Sequence, residues 1–209
     1  MENMLFRVLN DEEIREYGFK YPGLRVCGYG FNQKAFTVMA KGYKDAAELL
    51  ANSQCDFSNK YNNDLLYPIL YCYRQSVELM LKAVLLNLNL LKDHPLDALE
   101  RKKLAQRIKG HNLDKILHQI KRSLRQLQCT TFDKQISKIG EFVSAFDEID
   151  PESFDMRYPA NNELFASTFH KSIHGFDIQY TKEHFPAFWQ HLQEIYLNTE
   201  RMWAEKIFI

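Results

Sequence analysis

Between Leu65 and Leu91 the chain is mostly apolar for roughly seven helical turns. The only charged residues in that run, Arg74, Glu78 and Lys82, are spaced four apart. That spacing puts them on one side of a helix, while Leu, Ile, Val and Met cover most of the remaining circumference. The pattern belongs to the central helix of a bundle, buried on several sides, rather than to a surface helix. A membrane span is excluded for this run: an Arg or Lys at mid-bilayer costs roughly 2.5 to 3.5 kcal/mol, and Glu78 and Gln75 add to the cost.

A single charged stripe on such a helix has two readings. On a solvent-facing edge, Arg74, Glu78 and Lys82 form i, i+4 pairs that add roughly 0.2 to 0.5 kcal/mol each. Facing a groove between helices, they form a polar row in which Arg74 is offered to a phosphate or carboxylate and Glu78 holds it in place.

With 209 residues, 45% hydrophobic and 13% aromatic, the chain can bury one substantial core, which argues against disorder. The opening Met-Glu-Asn-Met has no basic stretch followed by a long apolar one. Neither a secretory leader nor a membrane anchor is expected, and a cytoplasmic location follows as the expectation. Cys27, Cys55, Cys72 and Cys129 are scattered, with no Cys-x-x-Cys pair. This suits reduced thiols better than a disulfide framework or a zinc site. His170 and His174 have the spacing of a helical metal pair but lack the neighbouring Glu of a zincin, so no metal or other cofactor is expected.

Formal net charge is zero, yet the charge is unevenly placed. From Arg101 to Arg125 nine basic residues, among them Arg107, Lys115, Lys121, Arg122 and Arg125, face one acid, Asp114, for a local charge of +8. From Glu141 to Glu163 the sign reverses, with Arg157 the one cation. Either the two segments neutralise each other, within the chain or across a dimer, or the basic one is free to attract a polyanion such as RNA.

The expected fold is mainly α, an up-and-down bundle of four to five helices over residues 32–209, preceded by an arm over residues 1–31 that packs on it. Turn signals at Tyr17-Gly18, Tyr21-Pro22-Gly23 and Gly28-Tyr29-Gly30 mark the arm, and Gly28-x-Gly30 lacks the third glycine of a dinucleotide loop. Helices are expected over about Asn32 to Leu50, with Met39 and Leu49 on the inner side, and from Asn62, Asn63 or Asp64 as N-cap to about Asp93. Others follow from Gly110-His111-Asn112-Leu113 through Leu127, from Asp133 to Ile149, and from about His184 to Trp203 or beyond. Phe154-Asp155-Met156-Arg157-Tyr158 and Phe176-Asp177-Ile178-Gln179-Tyr180 share a period-two pattern. They are expected to pair as a short two-stranded ribbon near the last helix, with Arg157 on its polar face as a second anion-binding candidate.

The segment Tyr73-Arg74-Gln75-Ser76-Val77-Glu78-Leu79-Met80-Leu81-Lys82-Ala83 resembles the second-helix segment of HEPN (higher eukaryotes and prokaryotes nucleotide-binding) bundles. Gly110-His111-Asn112-Leu113 is similar to the opening of their next helix, and Phe154 to Pro159 resembles the Phe-Arg-Tyr-Pro stretch of uncharacterised bacterial members. The resemblance implies a helical bundle, frequent homodimerisation, and roles around RNA in toxin-antitoxin or phage-defence systems. HEPN ribonucleases carry an Arg followed, after four to six residues, by a His, and no Arg here meets that spacing. Arg107 and His111, with three residues between them, come nearest. An Arg and a His brought together otherwise still supply what metal-independent RNA cleavage needs, a proton donor or acceptor and a cation for the phosphate.

The expectation is therefore a noncatalytic HEPN-like module that binds RNA or a nucleotide through Arg74, Glu78, Lys82, Lys115, Lys121, Arg122, Arg125 and Arg157. A divergent ribonuclease using Arg107 and His111, and a protein-interaction or antitoxin-like subunit, remain alternatives. The uniform hydrophobicity of Leu79 to Leu91 further predicts an apolar seam covered in a homodimer.

Overall fold

A computed structural model describes residues 33–53, 64–91, 98–150 and 176–207. These residues are mainly helical: α1 is Gln33–Ser53, α2 Leu66–Leu90, α3 Ala98–Lys109, α4 Leu113–Gln126, α5 Asp133–Ile149 and α6 Ile178–Ile207. The expected N-terminal arm, Phe154 to Tyr158 with Arg157, and the His170/His174 pair lie outside the described residues.

Helix α2 is the element on which the others rest. From Ile69 to Asn89 only Tyr71, Cys72 and Gln75 escape full burial. It packs against α1, α4 and α6, while α5 packs on α4 and α6. An aromatic cluster ties three of these helices together. Phe185 of α6 lies 4.3 Å, centroid to centroid, from Tyr73 of α2 and 5.7 Å from Phe142 of α5, and Phe142 stacks on Phe188 at 3.8 Å. Such pairs add roughly 0.5 to 1.5 kcal/mol each beyond their area burial.

Local signals account for several boundaries. Pro68 is the third residue of α2, in the first turn, where a missing N–H leaves no helical bond unmade. Asn112 caps α4, its side-chain oxygen accepting from the Lys115 N–H at 2.8 Å. The same helix closes with the Cys129 N–H donating to the Leu124 carbonyl and the Gln128 N–H to the Arg125 carbonyl, both at 3.0 Å. This is the Schellman pattern, with Gln128 at the left-handed position (φ 52°) where glycine is usual. Helix α5 spans the expected residues, and Asp150 ends it ahead of Pro151.

Other expectations are corrected. The second strand of the expected ribbon does not form: Ile178-Gln179-Tyr180 is the first turn of α6, because the Asp177 carboxylate accepts from the Tyr180 N–H at 2.9 Å and so caps a helix. Helix α6 accordingly starts six residues before His184 and carries Pro186 in its interior at the cost of one backbone bond. Helix α2 begins at Leu66, with Leu65 rather than Asn62, Asn63 or Asp64 at the N-cap position. Helix α3 has no counterpart among the expected elements; its Leu104 and Ile108, four apart, pack on Leu86 beside Phe36. In α1 the inner side is rotated: Ala40, Ala47 and Ala51 are fully buried, whereas Met39 and Leu49 are 51% and 72% exposed. Small alanines let α1 lie close along α2, and that close packing outweighs burial of the larger side chains. Finally, residues Leu79 to Asn89 and Leu91 are buried within the chain itself, which removes the apolar seam as a ground for a dimer. No helix among the described residues is long and apolar enough to cross a membrane.

The Tyr73 hydroxyl is buried with no hydrogen-bond partner among the described residues. Burial, with the Glu48 carboxylate adding to it, pushes its phenol up to about 12. Burial likewise pushes Tyr196 up to about 12, helped by Glu200. The unfolded chain releases these protons near the ordinary value of 10.0, so it binds fewer protons than the native state above that pH. The stability these phenols contribute is present below pH 10 and lost as pH rises towards 12. Tyr73→Phe is expected to hold or raise stability at neutral pH, by up to about 1 to 3 kcal/mol, since it removes an unsatisfied hydroxyl. It should also make the alkaline loss shallower. Urea unfolding at neutral pH and across the alkaline range checks both, and a clear loss at neutral pH would show that the hydroxyl is bonded.

Candidate functional site

The charged stripe of α2 lies inside the protein, not on a solvent-facing edge. Arg74 and Glu78 are 0% exposed and Lys82 5%. Their side of α2 meets two stretches of backbone with carbonyls to satisfy: the link before α4 and the end of α5. The Arg74 guanidinium donates from Nη2 to the His111 carbonyl at 2.8 Å, from Nε to the Asp150 carbonyl at 3.1 Å, and from Nη1 to Glu78 at 3.1 Å. A cation at the carboxyl end of α5 also complements that helix's dipole. Glu78 is the hub. Its Oε2 accepts from Arg74, and its Oε1 accepts from Lys82 Nζ at 2.7 Å and sits 2.9 Å from His111 Nδ1.

His111 is therefore held at both ends, its carbonyl on Arg74 and its ring on Glu78. A carboxylate already accepting from Arg and Lys assigns the Nδ1 proton to the imidazole, so that in the neutral ring Nε2 is the acceptor. The His111 side chain is 47% exposed, which makes it the one member of the cluster that a ligand can reach from water. Arg107, the other candidate for cleavage, is exposed in the last turn of α3 and makes no hydrogen bond or ion pair among the described residues. The structure couples His111 to Glu78 rather than to Arg107. Sequence reasoning treats His111 as a helix-start residue; the signal it misses is that residues 110–112 must lie against the Glu78 side of α2.

The remaining binding candidates stand on α4. Leu113, Ile116, Leu117, Ile120 and Leu124 face the core. Lys115, Arg122 and Arg125 are exposed and Lys121 half-buried. Lys121, Arg122 and Arg125 form no ion pair among the described residues. Of the acidic segment, Asp147 touches this region by accepting from the Asp114 N–H at 3.1 Å, a bond to the first turn of α4 that leaves those three cations uncovered. Arg157 lies outside the described residues. Cys72 and Cys129 are free thiols, and burial pushes Cys72 up from its ordinary value. Among the described residues no group of three or more His, Cys, Asp or Glu side chains is placed to hold a metal ion.

Comparison with protein-family models, with curated proteins and with solved structures finds no match to this chain.

Burying Arg74 and Lys82 draws on the Glu78 carboxylate that pairs with both, because an unpaired interior charge is far costlier than the pair. Glu78→Ala is expected to cost about 3 to 5 kcal/mol in urea unfolding, and adding Lys82→Met should recover part of that loss. Equal stabilities for Glu78→Ala and the native protein would mean that the stripe is hydrated.

Proposed function

We propose that this chain is a noncatalytic HEPN-like module, a helical bundle that binds RNA or a nucleotide, in the setting of a bacterial toxin-antitoxin or phage-defence system in the cytoplasm. The observation that carries the reading is the cationic face of α4, exposed Arg122 and Arg125 with half-buried Lys121, which form no ion pair among the described residues and stand beside Lys115. Phosphate contacts from such a face give sequence-tolerant affinity that weakens with salt, because each neutralised phosphate releases condensed counterions. Arg74, Glu78 and Lys82 serve this reading indirectly, by fixing α2 against the start of α4, since they are buried and committed to one another. Homodimerisation is part of what the resemblance implies; sedimentation across a concentration series tests it.

The expected result is measurable binding of a labelled single-stranded RNA at low salt. The logarithm of affinity should fall linearly with the logarithm of salt concentration, and the slope should be shallower by about 0.7 for each of Arg122→Gln and Arg125→Gln. Absence of binding at low salt, together with concentration-dependent mass, would move the assignment to a protein-interaction or antitoxin-like subunit.

A second reading, a divergent metal-independent ribonuclease, draws on the Glu78–His111 contact at 2.9 Å. A carboxylate that orients an imidazole and fixes its tautomer is the arrangement a general base requires. If the protein cleaves RNA, His111→Ala should abolish cleavage and leave RNA affinity and the unfolding midpoint close to native. Cleavage that survives the substitution would remove His111 from the chemistry.

A further inference from the structure

We propose that the corner between α4 and α5 is a single-nucleotide pocket that holds the phosphate of a nucleoside monophosphate unit on Lys121 and Arg125. This rests on the nucleic-acid-binding reading above and gives it a place. A cleft of about 570 Å³ opens there, within the roughly 300 to 1,000 Å³ range of small-molecule sites. Lys121 and Arg125 are one helical turn apart on α4, line the cleft, and form no ion pair among the described residues. Lys121 is folded into the corner: its Nζ lies 3.6 Å from the place a Cβ on Gly140 would occupy, against the backbone of α5. An ammonium and a guanidinium carried by two residues that line one cleft are a phosphate's complement, the guanidinium by paired N–H bonds and the ammonium as a point charge.

The rest of the lining suits a nucleoside better than a bare anion. Leu124 and Ile136 supply buried apolar surface for the face of a base. Gln128, Thr130 and Ser137 bring an amide and two hydroxyls, and Asp133 a carboxylate able to accept from a ribose hydroxyl or an exocyclic amine. The closing turn of α4 keeps a glutamine at a left-handed position that glycine would occupy with less strain, and the cost leaves an amide side chain at the cleft. A second cleft, about 500 Å³ between α5 and α6, is walled by Phe142, Phe146 and Phe188, and its lysine, Lys138, is already paired with Glu141 at 3.0 Å. It offers a phosphate no such pair of free cations.

Adenosine 5′-monophosphate and a labelled single-stranded RNA are the probes, titrated into the full chain and into three variants. Thr130→Trp fills the mouth of the cleft at an exposed position without changing charge, Arg125→Gln removes one phosphate ligand, and Arg122→Gln neutralises a cation outside the cleft. Mononucleotide affinity should fall roughly tenfold or more with Thr130→Trp and with Arg125→Gln and stay near native with Arg122→Gln. RNA affinity should fall with all three if the cleft holds one nucleotide of the strand; if it falls with Arg122→Gln and Arg125→Gln but is unmoved by Thr130→Trp, the pocket takes free mononucleotide only. Salt-sensitive RNA binding in a protein that binds no mononucleotide and is indifferent to Thr130→Trp would overturn the pocket and leave the cationic face standing. No binding of either probe would overturn both.

Discussion

The carboxylate of Glu78 is the contact on which the interior depends. Two cations, Arg74 and Lys82, are buried on the same helix, and neither belongs in a low-dielectric interior without a negative partner. Glu78 lies one turn from each and pairs with both, and the Oε1 that accepts from Lys82 is also within reach of His111. Arg74 directs its other donors to the carbonyls of His111 and Asp150, which locks the start of α4 and the end of α5 onto α2. A hydrophobic row at these positions would pack as tightly, but it would leave those two carbonyls without their donor.

The positive charge of the chain is divided between two roles by where it falls. On α2 it is internal and serves geometry. On α4 it stands opposite a mostly apolar inner side, with Lys115, Arg122 and Arg125 exposed and Lys121 half-buried. The first set holds the helix that presents the second, and His111, at the junction, belongs to both: its backbone and Nδ1 are tied to the interior cluster while nearly half its side chain is solvated. The aromatic cluster of Tyr73, Phe142, Phe185 and Phe188 performs the corresponding work on the apolar side, closing α5 and α6 over α2.

Much of the helical content was legible because the relevant signals are local. The apolar run of α2, the amphipathic period of α4 and the Asp133 to Ile149 span of α5 follow from spacing, from Asn112 as a cap and from Pro151 as a stop. The misreadings share a cause. Phe176 to Tyr180 alternates like a strand, yet Asp177 bonds the backbone three residues on and starts a helix there. Met39 and Leu49 look like inner residues, yet the nearby alanines are what α2 accepts at close range. In each case the pattern spans too few residues to choose among the partners available.

By itself the sequence determined that the chain is mainly helical, that α2 is its central element, and that Arg74, Glu78 and Lys82 share one side of it. These are consequences of covalent order and helical repeat, which need no knowledge of neighbours. Only the tertiary structure decided that this side is interior, because burial depends on what packs against it, and residues 110–112 and 150 arrive from elsewhere in the chain with carbonyls that an arginine satisfies. The same holds for the cationic face of α4 and the cleft beside it. Both depend on which cations are left without an ion pair among the described residues and on how two helices pack, and neither is written in the spacing of residues along one of them.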